Sequence, residues 1–164
     1  MRHLLGLILL ATLPVGTASA QATPPALGLG FQTTLSSTEG LGVGLRGRAS
    51  WAVNADLSMA LGAGMTGFVL EGRDEATYLL DPQASVIVTL NDSGNRTPYI
   101  LGGIGAAIPV NSGSNAENGP TLHFGMGYVQ GLRDTILFYE INPAMIVGEN
   151  EISFNIPFRI GVIF

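Results

Sequence analysis

From Ala26 to Phe164, large apolar side chains return at every second position in segment after segment, a period that suits extended chain and not a helix. Leu27, Leu29, Phe31 and Leu35 alternate with Gly28, Gly30, Gln32 and Thr34. Leu41, Val43, Leu45, Ala49 and Trp51 alternate with Gly42, Gly44, Arg46, Arg48 and Ser50. A third segment sets Leu57, Met59, Leu61 and Met65 against Ser58, Gly62, Gly64 and Thr66, and a fourth sets Tyr78, Leu80, Ala84 and Val86 against Thr77, Asp81, Gln83 and Ser85. The fifth, Pro98 to Ile108, offers Ile100, Ile104 and Ile108 on its more apolar face and Tyr99, Gly103 and Gly105 on the other. In the sixth, Leu122, Phe124, Met126 and Tyr128 oppose His123, Gly125 and Gly127; in the seventh, Leu137, Tyr139, Ile141, Met145 and Val147 oppose Phe138, Glu140 and Asn142. The last carries an aromatic or branched residue at each even position from Ile152 to Phe164, with Ser153, Asn155, Pro157, Arg159 and Gly161 between them. Asn, Asp, Gly and Ser gather where each alternation stops, which predicts eight strands joined by turns. Pro82 and Pro143 cannot donate to a ladder, so local bulges are predicted in the fourth and seventh strands.

These segments match the roughly 9–11 residues that a tilted strand needs to cross a bilayer. Their apolar face is nearly free of charge, and the opposite face is mostly Gly, Ser, Thr, Gln and Asn, as the filled interior of a narrow barrel requires. A water-soluble barrel enclosing an apolar ligand would instead present a Lys- and Glu-rich exterior. Here charged residues amount to 12% of the chain and lysine is missing altogether. The predicted fold is all-β, a closed antiparallel eight-stranded up-and-down barrel crossing a membrane, which satisfies every backbone group where water is excluded.

The first residues predict export. Arg2 supplies positive charge, Leu4 to Leu13 is apolar, and Ala18-Ser19-Ala20 offers the small side chains that a signal peptidase accepts. Residues 1–20 read as a cleaved signal peptide and 21–164 as the barrel domain, with Gln21 opening the mature chain. The leader's apolar run is too short for a spanning helix, which needs roughly 20 residues. With no cysteine, disulfides, thiolate catalysis and a lipidated N-terminal cysteine are excluded. A formal charge of -5 argues against nucleic acid as a partner.

On these features the chain resembles the small eight-stranded outer-membrane barrels of the OmpA, OmpX and OmpW type: a leader ending in Ala18-Ser19-Ala20, eight amphipathic strands, and a last strand closing on Phe164. The resemblance implies an outer-membrane location among lipids and lipopolysaccharide. It also implies delivery by periplasmic chaperones and insertion by a barrel-assembly machinery that reads Phe154, Phe158 and Phe164. It does not choose a function, because some such barrels are structural or surface-interaction proteins and others deacylate or acylate lipid A. The connections expected to face outward, near Glu39, Glu71 to Glu75, Asn111 to Gly119 and Glu149-Asn150, are shorter than those of adhesive relatives.

His123 is the one histidine left once the leader is removed. A deacylase of the barrel type resembles a His-x-Ser pair with a carboxylate on the lipid-facing wall, but here Gly125 stands in the serine's place and parity turns His123 inward, with no nucleophile expected in reach. No catalytic residue, cofactor site or metal site is predicted, and Glu71, Asp74 and Glu75 read as a solvated charge run. The outer connections pool Glu39, Glu71, Asp74, Glu75, Glu117, Glu149 and Glu151 against Arg73, an acidic rim that disfavours anionic ligands.

Arg46, Arg48, Asp81, His123, Glu140 and Arg159 are predicted to form a polar network inside the barrel. A first hairpin turning at Thr38 sets Arg46 opposite Gly30 and Arg48 opposite Gly28, and a second turning at Ala55 sets the same arginines opposite Gly64 and Gly62. Leucine at Gly30 or Gly64 is then expected to be worse than leucine at Gly42. Centring the last hairpin on Glu149-Asn150 places Glu140 opposite Arg159 as an interior ion pair. The functional expectation is a non-enzymatic barrel with a structural or surface-interaction role. The alternatives are a lipid A-modifying enzyme and a narrow pore or conduit for small hydrophobic ligands.

Overall fold

The computed structural model describes residues 24–68, 76–90, 95–110, 118–148 and 151–164. The predicted leader with its cleavage point at Gln21, the acidic run Glu71 to Glu75, Glu117 and the Glu149-Asn150 turn lie outside the described residues.

Nine ladder segments follow one another: β1 (Ala26–Ser36), β2 (Gly40–Ala52), β3 (Leu57–Phe68), β4 (Thr77–Thr89), β5 (Arg96–Pro109), β6 (Gly119–Gly131), β7 (Ile136–Ile141), β8 (Ala144–Val147) and β9 (Ile152–Ile163). All pairings are antiparallel, and β9 returns to β1 to close the sheet. β7 and β8 are two halves of one wall strand, since both pair with β6 on one side and β9 on the other. The result is the closed eight-stranded barrel that the alternation predicts. At the seam Leu27 and Phe164 exchange both backbone hydrogen bonds, at 3.2 and 2.9 Å, so no strand edge is left open there.

The bulges expected at the two prolines do not form. Pro82 pairs with Ala63 in an unbroken β3–β4 register, and β4–β5 pairing keeps the same offset on either side of it, Leu80 opposite Ile108 and Gln83 opposite Gly105. Around Pro143 the pair Met126–Ile141 gives way to His123–Ala144 with no residue inserted. The Asn142 N–H donates to the Pro157 carbonyl and the Pro143 carbonyl accepts from the Phe124 N–H, both at 3.1 Å. Proline removes a donor, but its φ is compatible with extended chain, so the ladder loses bonds locally without shifting.

Turn chemistry sets the registers. Gly40, at φ 74°, takes the left-handed conformation that ends the short β1–β2 connection. Asn54 Oδ1 accepts the N–H groups of Asp56 (2.9 Å) and Leu57 (2.8 Å), a side chain standing in for a backbone turn. The β1–β2 connection also corrects one expectation. Glu39 is only 3% exposed, in a tight turn where Ser36 Oγ accepts its backbone N–H at 3.3 Å. It is not a solvent-facing charge of the rim.

The two faces of the wall differ sharply. Phe31, Ile104 and Phe124 are 70%, 66% and 61% exposed on the outside, whereas Gln32 and His123, one residue away, are 3% and 2% exposed inside. The interior is layered along the axis. Ala60, Ile87, Tyr99 and Leu101 cluster at the end that holds Ala26 and Phe164, with Val129 packed against them. Phe68, Leu79, Ala107 and Ile146 cluster at the opposite end. The charged and amide side chains lie between, with Glu140 and Arg159 the most buried at 2% and Arg48 and Asp81 partly exposed at 13% and 16%.

Candidate functional site

The middle layer of the lumen holds the ionisable residues singled out in the sequence. Arg46 and Arg48 project from β2, and their neighbours on both sides are glycines: Gly30 and Gly64 for Arg46, Gly28 and Gly62 for Arg48. The missing side chains leave the width that two guanidinium groups need in a narrow barrel. Arg46 Nη1 donates to Asp81 Oδ2 at 2.9 Å and its Nη2 to Gln83 Oε1 at 2.8 Å. Arg48 Nη1 donates to Glu140 Oε2 at 3.0 Å while its guanidinium carbon sits 4.9 Å from the centre of the Phe138 ring.

Glu140 is the hub. It stands directly opposite Arg159 in the β7–β9 register, and Arg159 Nη1 donates to its Oε1 at 2.6 Å, with both side chains 2% exposed. Its other oxygen accepts from Arg48 and from Tyr99 Oη (2.9 Å). Arg159 reaches further: Nε donates to Gln32 Oε1 at 3.3 Å, and Nη2 lies 3.7 Å from Asp81 Oδ2. Gln32 in turn donates to Thr66 Oγ1 at 2.7 Å, and Asn142, fully buried, donates to Gln83 Oε1 at 3.3 Å. Three guanidinium groups are thus held by two carboxylates and a set of amides. Each buried charge meets counter-charge and hydrogen bonds, the condition under which burying it is tolerable.

His123 stands apart from this network. Its Nε2 lies 3.0 Å from Ser85 Oγ, across Gly103, the residue that pairs with both Ser85 and His123 in the ladders. This corrects the expectation that no nucleophile is in reach. The arrangement still lacks the rest of an acyl-transfer site: Nδ1 of His123 is buried without a hydrogen-bond partner, so no carboxylate orients the ring. Two interior spaces border this layer, one of about 20 Å³ between Thr34, Thr121, Asn155 and Asp81 and one of about 120 Å³ beside Arg48, Ser50, Thr97 and Tyr99, and neither is lined by Ser85 or His123. Among the described residues, no three His, Cys, Asp or Glu side chains are grouped to hold a metal ion.

Parity gives the inward direction of Gln32, Gln83, Tyr99 and Asn142, but a reading of polar residues passes over the apolar plugs. Phe68, Leu79, Ile87, Leu101, Ala107 and Ile146 all share the inward parity of their strands. That phase, rather than residue type, is the signal that would have found them. Phe154, Phe158 and Phe164 lie on the outer wall, 53%, 47% and 67% exposed.

No protein-family model matches the sequence, and no curated protein matches it. Solved structures match in fold. Neisserial surface protein A is 17% identical, with 87% of this chain and 97% of that chain covered at a TM-score of 0.72. The outer membrane enzyme PagL is 13% identical, with 84% and 98% covered at a TM-score of 0.57. Ail, the attachment invasion locus protein of Yersinia pestis, is 14% identical, with 87% and 99% covered at a TM-score of 0.55. The fold is that of the small eight-stranded outer-membrane barrels.

Proposed function

We propose that the chain is a non-enzymatic integral outer-membrane protein with a structural or surface-interaction role, exported by a leader cleaved before Gln21 and permanently closed along its axis. The observation that carries this reading is the filled lumen: arginines, carboxylates and amides interlock across it, apolar side chains pack towards both ends, and the interior spaces left measure about 20 and about 120 Å³. The band of exposed Leu, Ile, Phe and Met on the outer wall supports membrane embedding, because hydrocarbon is the medium in which such a surface is stable. Short turns at Val53 to Asp56 and Leu132 to Thr135 share an end with Ala26 and Phe164, which supports a periplasmic position for that end. Phe154, Phe158 and Phe164 would then be offered to the assembly machinery on the last strand.

Ail, crystallised in complex with the heparin analogue sucrose octasulfate, shows that a barrel of this fold can bind a ligand. The acidic connections here favour a different ligand, cationic or bridged by divalent cations.

Membrane fractions are expected to contain a chain beginning at Gln21 whose unboiled and boiled forms migrate differently in detergent gels. Recovery in soluble periplasm with a single heat-independent band would overturn the assignment. Incubation with lipopolysaccharide, read by mass spectrometry, is expected to leave the acyl pattern unchanged, and planar bilayers are expected to show no current steps. Acyl loss abolished by Ser85→Ala would establish the enzyme reading instead, and steady conductance would establish the pore.

A further inference from the structure

The lumen absorbs three of the arginines, which leaves Arg96 as the arginine, among the described residues, on the outward face of a strand. It heads β5 in line with Pro98, Ile100 and Ile104, at the end of the barrel that holds Ala26 and Phe164. Its guanidinium carbon lies 5.7 Å from the centre of the Tyr128 ring, and Tyr128 stacks on Tyr139 with ring centres 4.9 Å apart at 26°. Directly beside the stacked rings the wall is hollowed into a groove of about 750 Å³, lined by Pro98, Ile100, Met126, Tyr128, Tyr139 and Phe158.

A cation at one end of an apolar channel complements one kind of molecule in a membrane. We propose that this groove is a site for an anionic glycerophospholipid, with an acyl chain along the groove and the phosphodiester on Arg96. The inference rests on the membrane assignment above and names the lipid that the assignment leaves open. The Tyr128 ring holds the guanidinium by its face and leaves its N–H groups free to donate to phosphate oxygens. The tyrosines sit where aromatic side chains bridge hydrocarbon and headgroups. An arginine on the lipid face is costly at mid-membrane and nearly free at the interface, so the head of the strand is the place where such a residue can serve a ligand. With this end in the periplasm, the leaflet it meets is the phospholipid one.

Replacing Trp51, the chain's sole tryptophan, in a Trp51→Phe/Tyr139→Trp variant moves the fluorophore into the groove. Reconstituted in vesicles, it is to be titrated with brominated phosphatidylglycerol and brominated phosphatidylcholine. Quenching should show about a fivefold preference for phosphatidylglycerol, the effect of one arginine at a membrane surface. Adding Arg96→Gln should bring the two lipids to parity, and adding Arg133→Gln, on the neighbouring turn, should leave the preference intact. Equal quenching by both lipids in the parent, or equal loss with either arginine replaced, would overturn the site as diffuse rim charge. Absence of quenching by either lipid would show that the chain does not insert, and would overturn the membrane assignment along with it.

Discussion

Exchanging Glu140 for glutamine is expected to lower the unfolding free energy by about 3–5 kcal/mol, the cost of breaking a buried ion pair from one side. Glu140 receives Arg159, Arg48 and the Tyr99 hydroxyl, and apolar layers close the lumen on both sides of it. Without its charge, Asp81 is the one carboxylate left in the network for three guanidinium groups, and Arg48 loses its carboxylate partner. Asp81→Asn should cost less: its side chain is 16% exposed, and Arg46 retains Gln83 Oε1 at 2.8 Å. Denaturant unfolding in a fixed detergent or vesicle system measures both. The double variant Glu140→Gln/Arg159→Gln should lose less than the sum of the single losses, because the guanidinium that Glu140 balances most closely is removed together with it. Strict additivity would show that the two groups do not interact, and equal losses at Asp81 and Glu140 would contradict the difference in burial.

Most of this geometry was legible before any coordinates, because a sheet has few degrees of freedom. Once one face is committed to lipid, the period of two fixes the side of each residue, and a hairpin centre fixes every cross-strand pair. Thr38 as the centre of the first turn gives Arg46 opposite Gly30, and the Glu149-Asn150 centre gives Glu140 opposite Arg159, as the ladders have them. What lay beyond reach was contact across the lumen. Arg48 meets Glu140 from a strand 92 residues away, and Ser85 meets His123 over the strand between them. Such contacts depend on barrel curvature and on which intervening residue is glycine, and pairwise register carries neither. The prolines misled for a related reason. A missing donor was read as an inserted residue, whereas the neighbouring N–H and carbonyl groups of Asn142, Pro143, Phe124 and Pro157 absorb the loss.

Leucine at Gly64 is expected to abolish folding, leucine at Gly30 to weaken it, and leucine at Gly47 to be harmless. A Cβ at Gly64 would fall on Asp81 Oδ1 and come within 2.9 Å of Gln32 Nε2, so the larger side chain displaces the acceptor of Arg46 as well as overfilling the layer. Overpacking costs about 1–3 kcal/mol and a half-broken buried pair about 3–5, which together rival the roughly 5–15 kcal/mol that holds a typical domain folded. At Gly30 the same atom would meet the Ile160 carbonyl at 2.8 Å and Phe138 Cζ at 2.9 Å, a clash with backbone and a ring but with no ion pair. Gly42 does not serve as the tolerant comparison that the register of the arginines suggests, since its Cβ would lie 2.6 Å from both Phe68 Cδ1 and Thr66 Cγ2. Gly47 does: it faces outward with nothing within 4 Å, and leucine there adds an apolar group to an apolar wall. The folded fraction on unboiled gels and the urea midpoint should therefore fall in the order Gly47, Gly30, Gly64. Equal folding of the Gly64 and Gly47 variants would mean that the lumen has slack, and the filled interior on which the proposed function rests would have to be given up.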